Sequence, residues 1–337
     1  MESTEQKWII DTDPGCDDMM AIFYLIKKKN QNILAINLSE GNCLMPDVKT
    51  NIKKILKIIN TKINCFVGCS KQILNDSGNA YDYHYGDGLG GIEEIINMNI
   101  DDYEDLIQDT PASVKLVELV NTYPNQINLL AVAPLTNLIA AYMLDNSIIK
   151  KFRNIVLMGG SYTASGNVLP TSEFNFAYDY GASNIFLKRF SNVLIIPWEP
   201  TANQYFDISI LEKARDNLID KGSEIDETVY SYIEKILAKF TTKRNGMQIC
   251  DLYAIMCYFN SKIVTKFFFA KCTTVIDSHH MRGLFNIKNK TYVDLSFEDI
   301  MLNYYQKGLE YKEGYNILVE ELDLEEIIKE FEIIIEK

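Results

Sequence analysis

One stretch restricts the fold of this chain more than any other: Trp8-Ile9-Ile10-Asp11-Thr12-Asp13-Pro14-Gly15-Cys16-Asp17-Asp18. Its apolar start reads as a short buried strand, and an apolar helix is predicted from Met19 to about Lys28. In an open α/β sheet, ligands bind outside the carboxyl ends of the strands. Four aspartates fall there within eight residues. One aspartate in such a turn would be an N-cap or a solvated side chain. Four behind a buried strand repel one another, and a divalent cation is the expected remedy. Oxygen ligands with no histidine or cysteine pair nearby favour Ca²⁺ or Mg²⁺ over zinc. Pro14 and Gly15 bend the chain so that the carboxylates turn back onto one point. Asp17 and Asp18 then fall in the first helical turn, where the dipole favours negative charge. An EF-hand starting at Asp11 is excluded, because its twelfth position is Ile22 rather than Glu. A phosphotransferase-type D-x-D-x-T/V loop is excluded by Gly15.

Further along, apolar runs and helical periodicity alternate. Strands are predicted at Ile33–Leu38, Asn64–Gly68, Ile127–Val132, Asn154–Met158 and Asn192–Pro197. Helices are predicted at Met45–Ile59, Pro111–Thr122, Thr136 to about Asp145, and Tyr253–Phe259. Strand–helix alternation at this spacing means parallel βαβ units with right-handed crossovers. The predicted fold is α/β, an open, doubly wound, mainly parallel sheet flanked by helices. Apolar runs at Phe267–Phe269, Thr273–Ile276 and Thr291–Leu295 predict a small antiparallel addition, followed by an amphipathic helix from Leu324. From Phe206 to Lys243 the chain reads as helical with a break at Gly222, and residues 98–110 read as an acidic surface connection. The 337 residues are taken as a single domain, 1–337.

Composition narrows the partners. A net charge of −13 argues against nucleic acid and anionic membrane surfaces. No run of 18 apolar residues is present, and Met1–Lys7 carries no apolar signal region. Seven cysteines at scattered spacings read as reduced thiols of a cytoplasmic protein.

Asp11-Thr12-Asp13-Pro14-Gly15-Cys16-Asp17-Asp18 resembles the D-T-D-P-G-x-D-D signature of the inosine-uridine-type nucleoside hydrolases. The family's other motifs follow in order, over Ile9 to about Phe259. In the Gly- and Tyr-rich loop Ser77–Gly91, residues His84, Asp87, Gly88, Leu89 and Gly90 match H-G-x-D-G-L-G, with Tyr85 in place of the first glycine. Pro134–Asn137 matches P-L-T-N. Met158-Gly159-Gly160, Asn167 and Glu173-Phe174-Asn175 match M-G-G, Asn and E-F-N. Asp251, which on local reading is an N-cap, matches an aspartate of the family's metal site.

The resemblance implies a Ca²⁺-dependent N-ribohydrolase that splits a ribonucleoside into ribose and a free base, in a homodimer or homotetramer. Asp13, Asp18, Asp251 and the Val132 carbonyl would hold the metal, and Asp13 would act as general base toward a bound water. Asp17, Asn42, Met158, Asn167, Glu173 and Asn175 would hold the substrate. The chain departs from the family at Cys250, where many members carry a histidine that protonates the leaving base and others a tryptophan. Cys250 is a weak donor or a small core residue, and His84 is the substitute acid. Stacking of the base on Trp198 or a loop tyrosine is a third route. With the leaving-group chemistry altered, a nucleoside-binding module and a hydrolase of another N-riboside, such as nicotinamide riboside, stay open. The intact Asp13 argues against the first, because binding needs no base.

Overall fold

The structure is a computed structural model that describes residues 5–74, 83–202, 204–278, 280–303, 305 and 312–337. The start of the Gly- and Tyr-rich loop, with Tyr81 and Asp82, and His279 therefore lie outside the described residues.

Ten strands pair into one sheet among the described residues. They are β1 (Gln6–Thr12), β2 (Gln31–Leu38), β3 (Cys65–Val67), β4 (Ile107–Gln108), β5 (Ile127–Ala131), β6 (Phe152–Met158), β7 (Leu194–Ile196), β8 (Val264–Thr274), β9 (Phe285–Thr291) and β10 (Asn316–Leu322). Their order across the sheet is β4-β3-β2-β1-β5-β6-β7-β10-β8-β9. Every pairing from β4 to β10 is parallel, and β8 runs antiparallel to both β10 and β9. The chain thus builds outward from β1 in one direction, through β2 to β4, and then from β5 in the other. That reversal leaves a crevice at the carboxyl ends of β1 and β5, the place where open α/β sheets bind ligands.

Strand side chains alternate between two cores. Ile10, Leu130, Val156 and Leu194 pack on one face of the sheet, and Ile9, Leu129, Ile155 and Ile195 on the other. Burial on both faces explains why these strands are continuous apolar runs. The helices Met45–Ile58, Ala112–Thr122 and Thr136–Leu144 lie within a residue or two of the predicted spans. The Phe206–Lys243 region resolves into helices Ile208–Asp220 and Glu227–Arg244, and Gly222, at φ +73°, turns the chain between them.

The carboxyl-terminal third supplies the expected antiparallel addition, in β10, β8 and β9, but with other bounds than the sequence suggests. The expected strand Phe267–Phe269 and the first two residues of Thr273–Ile276 belong to one long strand, β8, which ends at Thr274, and Thr291–Leu295 starts where β9 ends. Strand β9 is polar, with Lys288 and Lys290 exposed on the outermost strand of the sheet. Charged residues protect such an edge from pairing with another chain, and they also hide it from a hydrophobicity reading. Strand β10 and the helix Phe297–Asn303 have no counterpart in the sequence reading, and β4 lies inside the expected acidic connection.

Leu130 is fully buried in β5 between the neighbouring parallel strands, whereas Met143 is 60% exposed. Leu130→Ala is expected to lose about 2–5 kcal/mol of stability, and Met143→Ala less than about 0.5 kcal/mol, in urea unfolding followed by circular dichroism. Equal losses would place the core elsewhere.

Candidate active site

The acidic turn leaves β1 at its carboxyl end and enters the helix Cys16–Lys27. This helix begins three residues earlier than the apolar pattern suggests, so Asp17 and Asp18 stand in its first turn. The helix that carries Asp251 also begins early, at Cys250, and Ile249 rather than Asp251 takes the N-cap position. The two helices pack against each other. Carboxylates in both first turns therefore face the positive ends of two helix dipoles.

Asp18 accepts hydrogen bonds from the Thr12 hydroxyl, from the Gly15 N–H at 2.9 Å and from the Asn42 amide at 3.2 Å. Asp13 Oδ2 accepts the Asn42 N–H at 2.7 Å, and its carbonyl accepts the Asn42 side chain at 3.1 Å. One asparagine after β2 thus ties both aspartates to the neighbouring strand. Gly41 permits the approach, since a Cβ there would stand 2.1 Å from Asp13 Oδ2. Asp13 Oδ1 and Asp17 Oδ1 are buried with no hydrogen-bond partner among the described residues. On the β5 side, the Val132 N–H donates to the Asp11 carbonyl at 2.9 Å, and the Val132 carbonyl accepts the Asn175 amide at 3.2 Å.

After β6 the chain turns at Gly159 and Gly160. Gly160 sits at φ +81°, where a side chain would be strained, and its N–H donates to Glu173 at 2.7 Å. Glu173 also caps the helix Phe174–Tyr178 by accepting the N–H groups of Asn175 and Phe176, at 2.8 and 3.2 Å.

These elements enclose a cavity of about 410 Å³. Asp17, Asn42, His84, Val132, Met158, Asn167, Glu173, Asn175, Trp198, Cys250 and Asp251 all line it. Asp13 and Asp18 lie outside that lining, tied to it through Asn42. Carboxylate oxygens of Asp17, Asp18 and Asp251 come within 4.8 Å of one another, a grouping with Asp17 where the sequence reading placed Asp13. Three hard oxygen donors, together with the partnerless oxygens of Asp13 and Asp17, fit a hard divalent cation. Tyr83, one of the loop tyrosines offered for stacking, also lines the cavity, as do Arg244, Gln248 and Tyr205, which were not singled out from the sequence. The one signal for Arg244 and Gln248 was proximity in the chain, shortly before Cys250.

Burial governs the titration of this site. It raises the Asp17 carboxyl to about 8, helped by the Asp18 charge, and it raises Asp13 and Asp251 well above the ordinary range. Burial also lifts Glu173 and Asp11 to about 7. The same desolvation acts in the opposite sense on His84, which falls to about 3, with the Arg244 charge adding to the effect. His84 is thus a neutral imidazole whose Nδ1 accepts the Cys16 N–H at 3.3 Å, while Nε2 lies 3.7 Å from Asp17 Oδ1. Burial pushes the Cys250 thiol up, and Sγ donates to the Thr201 hydroxyl at 3.3 Å.

A sequence model of the family described as inosine-uridine preferring nucleoside hydrolase matches residues 8–326. The chain is similar to a protein named probable uridine nucleosidase 2 from Arabidopsis thaliana, 32% identical over 194 residues, covering 57% of this chain and 58% of that protein. It is also similar to a probable uridine nucleosidase 2 from Oryza sativa subsp. japonica, 29% identical over 212 residues, covering 62% and 61% of the two chains. The match thus spans about three fifths of these curated relatives. Among solved structures, a plant nucleoside hydrolase superposes with TM-score 0.78 at 23% identity, covering 97% of this chain and 98% of that one. A purine-preferring ribonucleoside hydrolase from Gardnerella vaginalis superposes with TM-score 0.75 at 19% identity, covering 98% of both chains. At these identities the two structures speak to the fold.

Asp11, Asp17 and Glu173 bind protons more tightly folded than unfolded. The stability they contribute is complete below their ordinary values of 3.8 and 4.5 and is lost as pH rises through about 7 to 8. The Tm of metal-free protein is expected to fall between about pH 5 and pH 8, and millimolar Ca²⁺ to raise it more at the upper end. A scanning-fluorimetry series in which Ca²⁺ shifts Tm equally at both ends, or not at all, would speak against a carboxylate metal site.

Proposed function

The chain belongs to the inosine-uridine preferring nucleoside hydrolase family, and from that premise we propose that it hydrolyses the N-glycosidic bond of ribonucleosides, releasing ribose and the free base. One observation carries this reading: Asp17, Asp18 and Asp251 converge beside a cavity that Asn42, Glu173 and Asn175 also line. Its volume of about 410 Å³ suits a small molecule.

Asp13, Asp18, Asp251 and the Val132 carbonyl, with Asp17 beside them, would hold a Ca²⁺ ion. Such an ion would supply Lewis-acid activation of a water and positive charge for the ribose hydroxyls. The attacking water gives its proton to Asp13, whose Oδ1 is buried and has no partner among the described residues. The sugar is held by acceptors. The Asn42 amide nitrogen donates to Asp13 and Asp18, and that of Asn175 to Val132 and Met158, so their oxygens remain for ribose hydroxyls. The Glu173 carboxylate accepts three backbone N–H groups and keeps lone pairs for a further hydroxyl. Asn167 and Trp198 line the same cavity and would contact the substrate from the loop after β6 and the turn after β7. Positive charge that builds on the ring as the base departs is met by the surrounding carboxylates.

We extend the reading to a single domain over residues 1–337 that assembles as a homodimer or homotetramer and serves nucleoside salvage. Seven free cysteines, six of them buried, support a reducing compartment and hence a cytoplasmic setting. No described helix is long and apolar enough to cross a membrane.

Ribose release from inosine and uridine is expected to disappear with a chelator and to drop about 10²–10⁴-fold in Asp13→Asn. A 2′-deoxynucleoside leaves buried polar groups unpaired and should react slower by on the order of 10⁴-fold. Undiminished ribose release by Asp13→Asn, or equal turnover of inosine and deoxyinosine, would count against this assignment. Nucleoside binding with no release from any riboside would favour the binding-module reading.

A further inference from the structure

Breaking the N-glycosidic bond leaves its electron pair on the base, so a hydrolase site must either protonate that base or hold its charge. Of the cavity groups chemically suited to give a proton, Cys250 and the Tyr83 hydroxyl are bonded elsewhere and His84 Nε2 is turned toward Asp17, while the exposed Tyr205 also lines the cavity. His84 Nδ1 accepts the Cys16 N–H at 3.3 Å, and Nε2 faces Asp17 at 3.7 Å. Cys250 donates to Thr201 at 3.3 Å, and the Tyr83 hydroxyl donates to Gln248 at 3.2 Å. Among the described residues lining the cavity, Arg244 carries the only permanent positive charge.

Arg244 is fixed in place by the surrounding chain. It is the last residue of the helix Glu227–Arg244, and Asn245 ends that helix in the left-handed conformation at φ +63°. Met247 then pairs with Phe206 through two backbone hydrogen bonds of 2.8 and 2.9 Å. The guanidinium lies 4.7 Å over the Tyr83 ring, which packs edge-on against His84 at 4.7 Å. Among the described residues its guanidinium has no ion pair and no hydrogen bond, which leaves donors for a ligand. Position along the cavity assigns the ligand part. The sugar-holding groups Asn42, Glu173 and Asn175 are buried, whereas Arg244 is exposed at the mouth. With ribose seated among the first three, the base points toward Arg244.

Building on the hydrolase reading, we propose that Arg244 is a catalytic residue that stabilises the departing base as an anion, in place of a general acid. The C1′–N bond breaks with both electrons leaving on the base, and the guanidinium donates hydrogen bonds to a carbonyl oxygen or ring nitrogen that gathers the charge. The water oxygen bonds to C1′, and its proton passes to Asp13. On release the base takes a proton from solvent and Asp13 returns its own, so riboside and water give ribose and neutral base. The ligand class at this end is a base bearing a hydrogen-bond acceptor at its charge-gathering edge.

The test compares wild type, Arg244→Gln and Arg244→Lys on uridine, inosine and a 4-nitrophenyl riboside, whose phenolate departs without help. Arg244→Gln is expected to lower kcat on the nucleosides by about 10²-fold while changing nitrophenyl riboside turnover by less than about threefold, with Arg244→Lys in between. Turnover of the nitrophenyl substrate doubles as the check that each variant is folded. Equal losses on both substrate types would make Arg244 a structural residue and overturn the proposal, as would unchanged nucleoside turnover. Wild type that releases ribose from none of the three would overturn the hydrolase reading, and this proposal with it.

Discussion

Mutual repulsion among buried carboxylates is the constraint around which this molecule is built. Asp13, Asp17, Asp18 and Asp251 are all buried, and each has its carboxyl raised by desolvation before any neighbouring charge acts. Backbone and side-chain donors offset part of that cost: the Gly15 and Asn42 N–H groups, the Thr12 hydroxyl and two helix amino ends. Donors of this kind cannot satisfy every oxygen, and Asp13 Oδ1 and Asp17 Oδ1 remain without partners among the described residues. A cluster left in that state costs stability unless a cation neutralises it, which is why the same residues read naturally as a metal site.

The sheet exists in this arrangement to hold that cluster together. Reversal of strand order between β1 and β5 opens a crevice where the two strands end, and Asp11, Asp13 and Val132 come from its two sides. Asn42, arriving from β2, bridges Asp13 and Asp18, and Glu173 and Asn175, arriving after β6, close the other side. The antiparallel hairpin of β8 and β9 takes part in support: Phe285 donates its N–H to the Ser161 carbonyl, and the Ser172 hydroxyl donates to the Arg282 carbonyl. The loop that carries Asn167 is therefore held between β6 and the far end of the sheet.

The two ends of the cavity differ in chemistry. Its buried end is rich in acceptors and carboxylates, suited to a polyhydroxylated ring that develops positive charge. Its mouth carries a guanidinium over an aromatic ring, suited to a planar group that develops negative charge. On the proposed hydrolase reading, charges of opposite sign there would match the polarity of a glycosidic bond that separates into a cation and an anion.

Much of this was legible in the linear chain because it is local. Apolar runs mark strands buried on both faces, helical periodicity marks the crossovers, the motifs at Asp11–Asp18 and Met158–Gly160 stand at strand ends, and Glu173–Asn175 stands at a helix start, where the fold needs turns and caps and the chemistry needs side chains. What pairs residues far apart was decided only by the folded chain. Polar β9 reads as a loop until β8 lies beside it, because an edge strand is stabilised by its partner and not by its own hydrophobicity. Which carboxylates converge, Asp17 with Asp18 and Asp251, depends on two helices separated by more than two hundred residues beginning side by side. Arg244 and Tyr83 are likewise distant in sequence and meet over one cavity. The titration of His84 and Glu173 follows the same rule, since burial sets it and burial is a property of the whole fold.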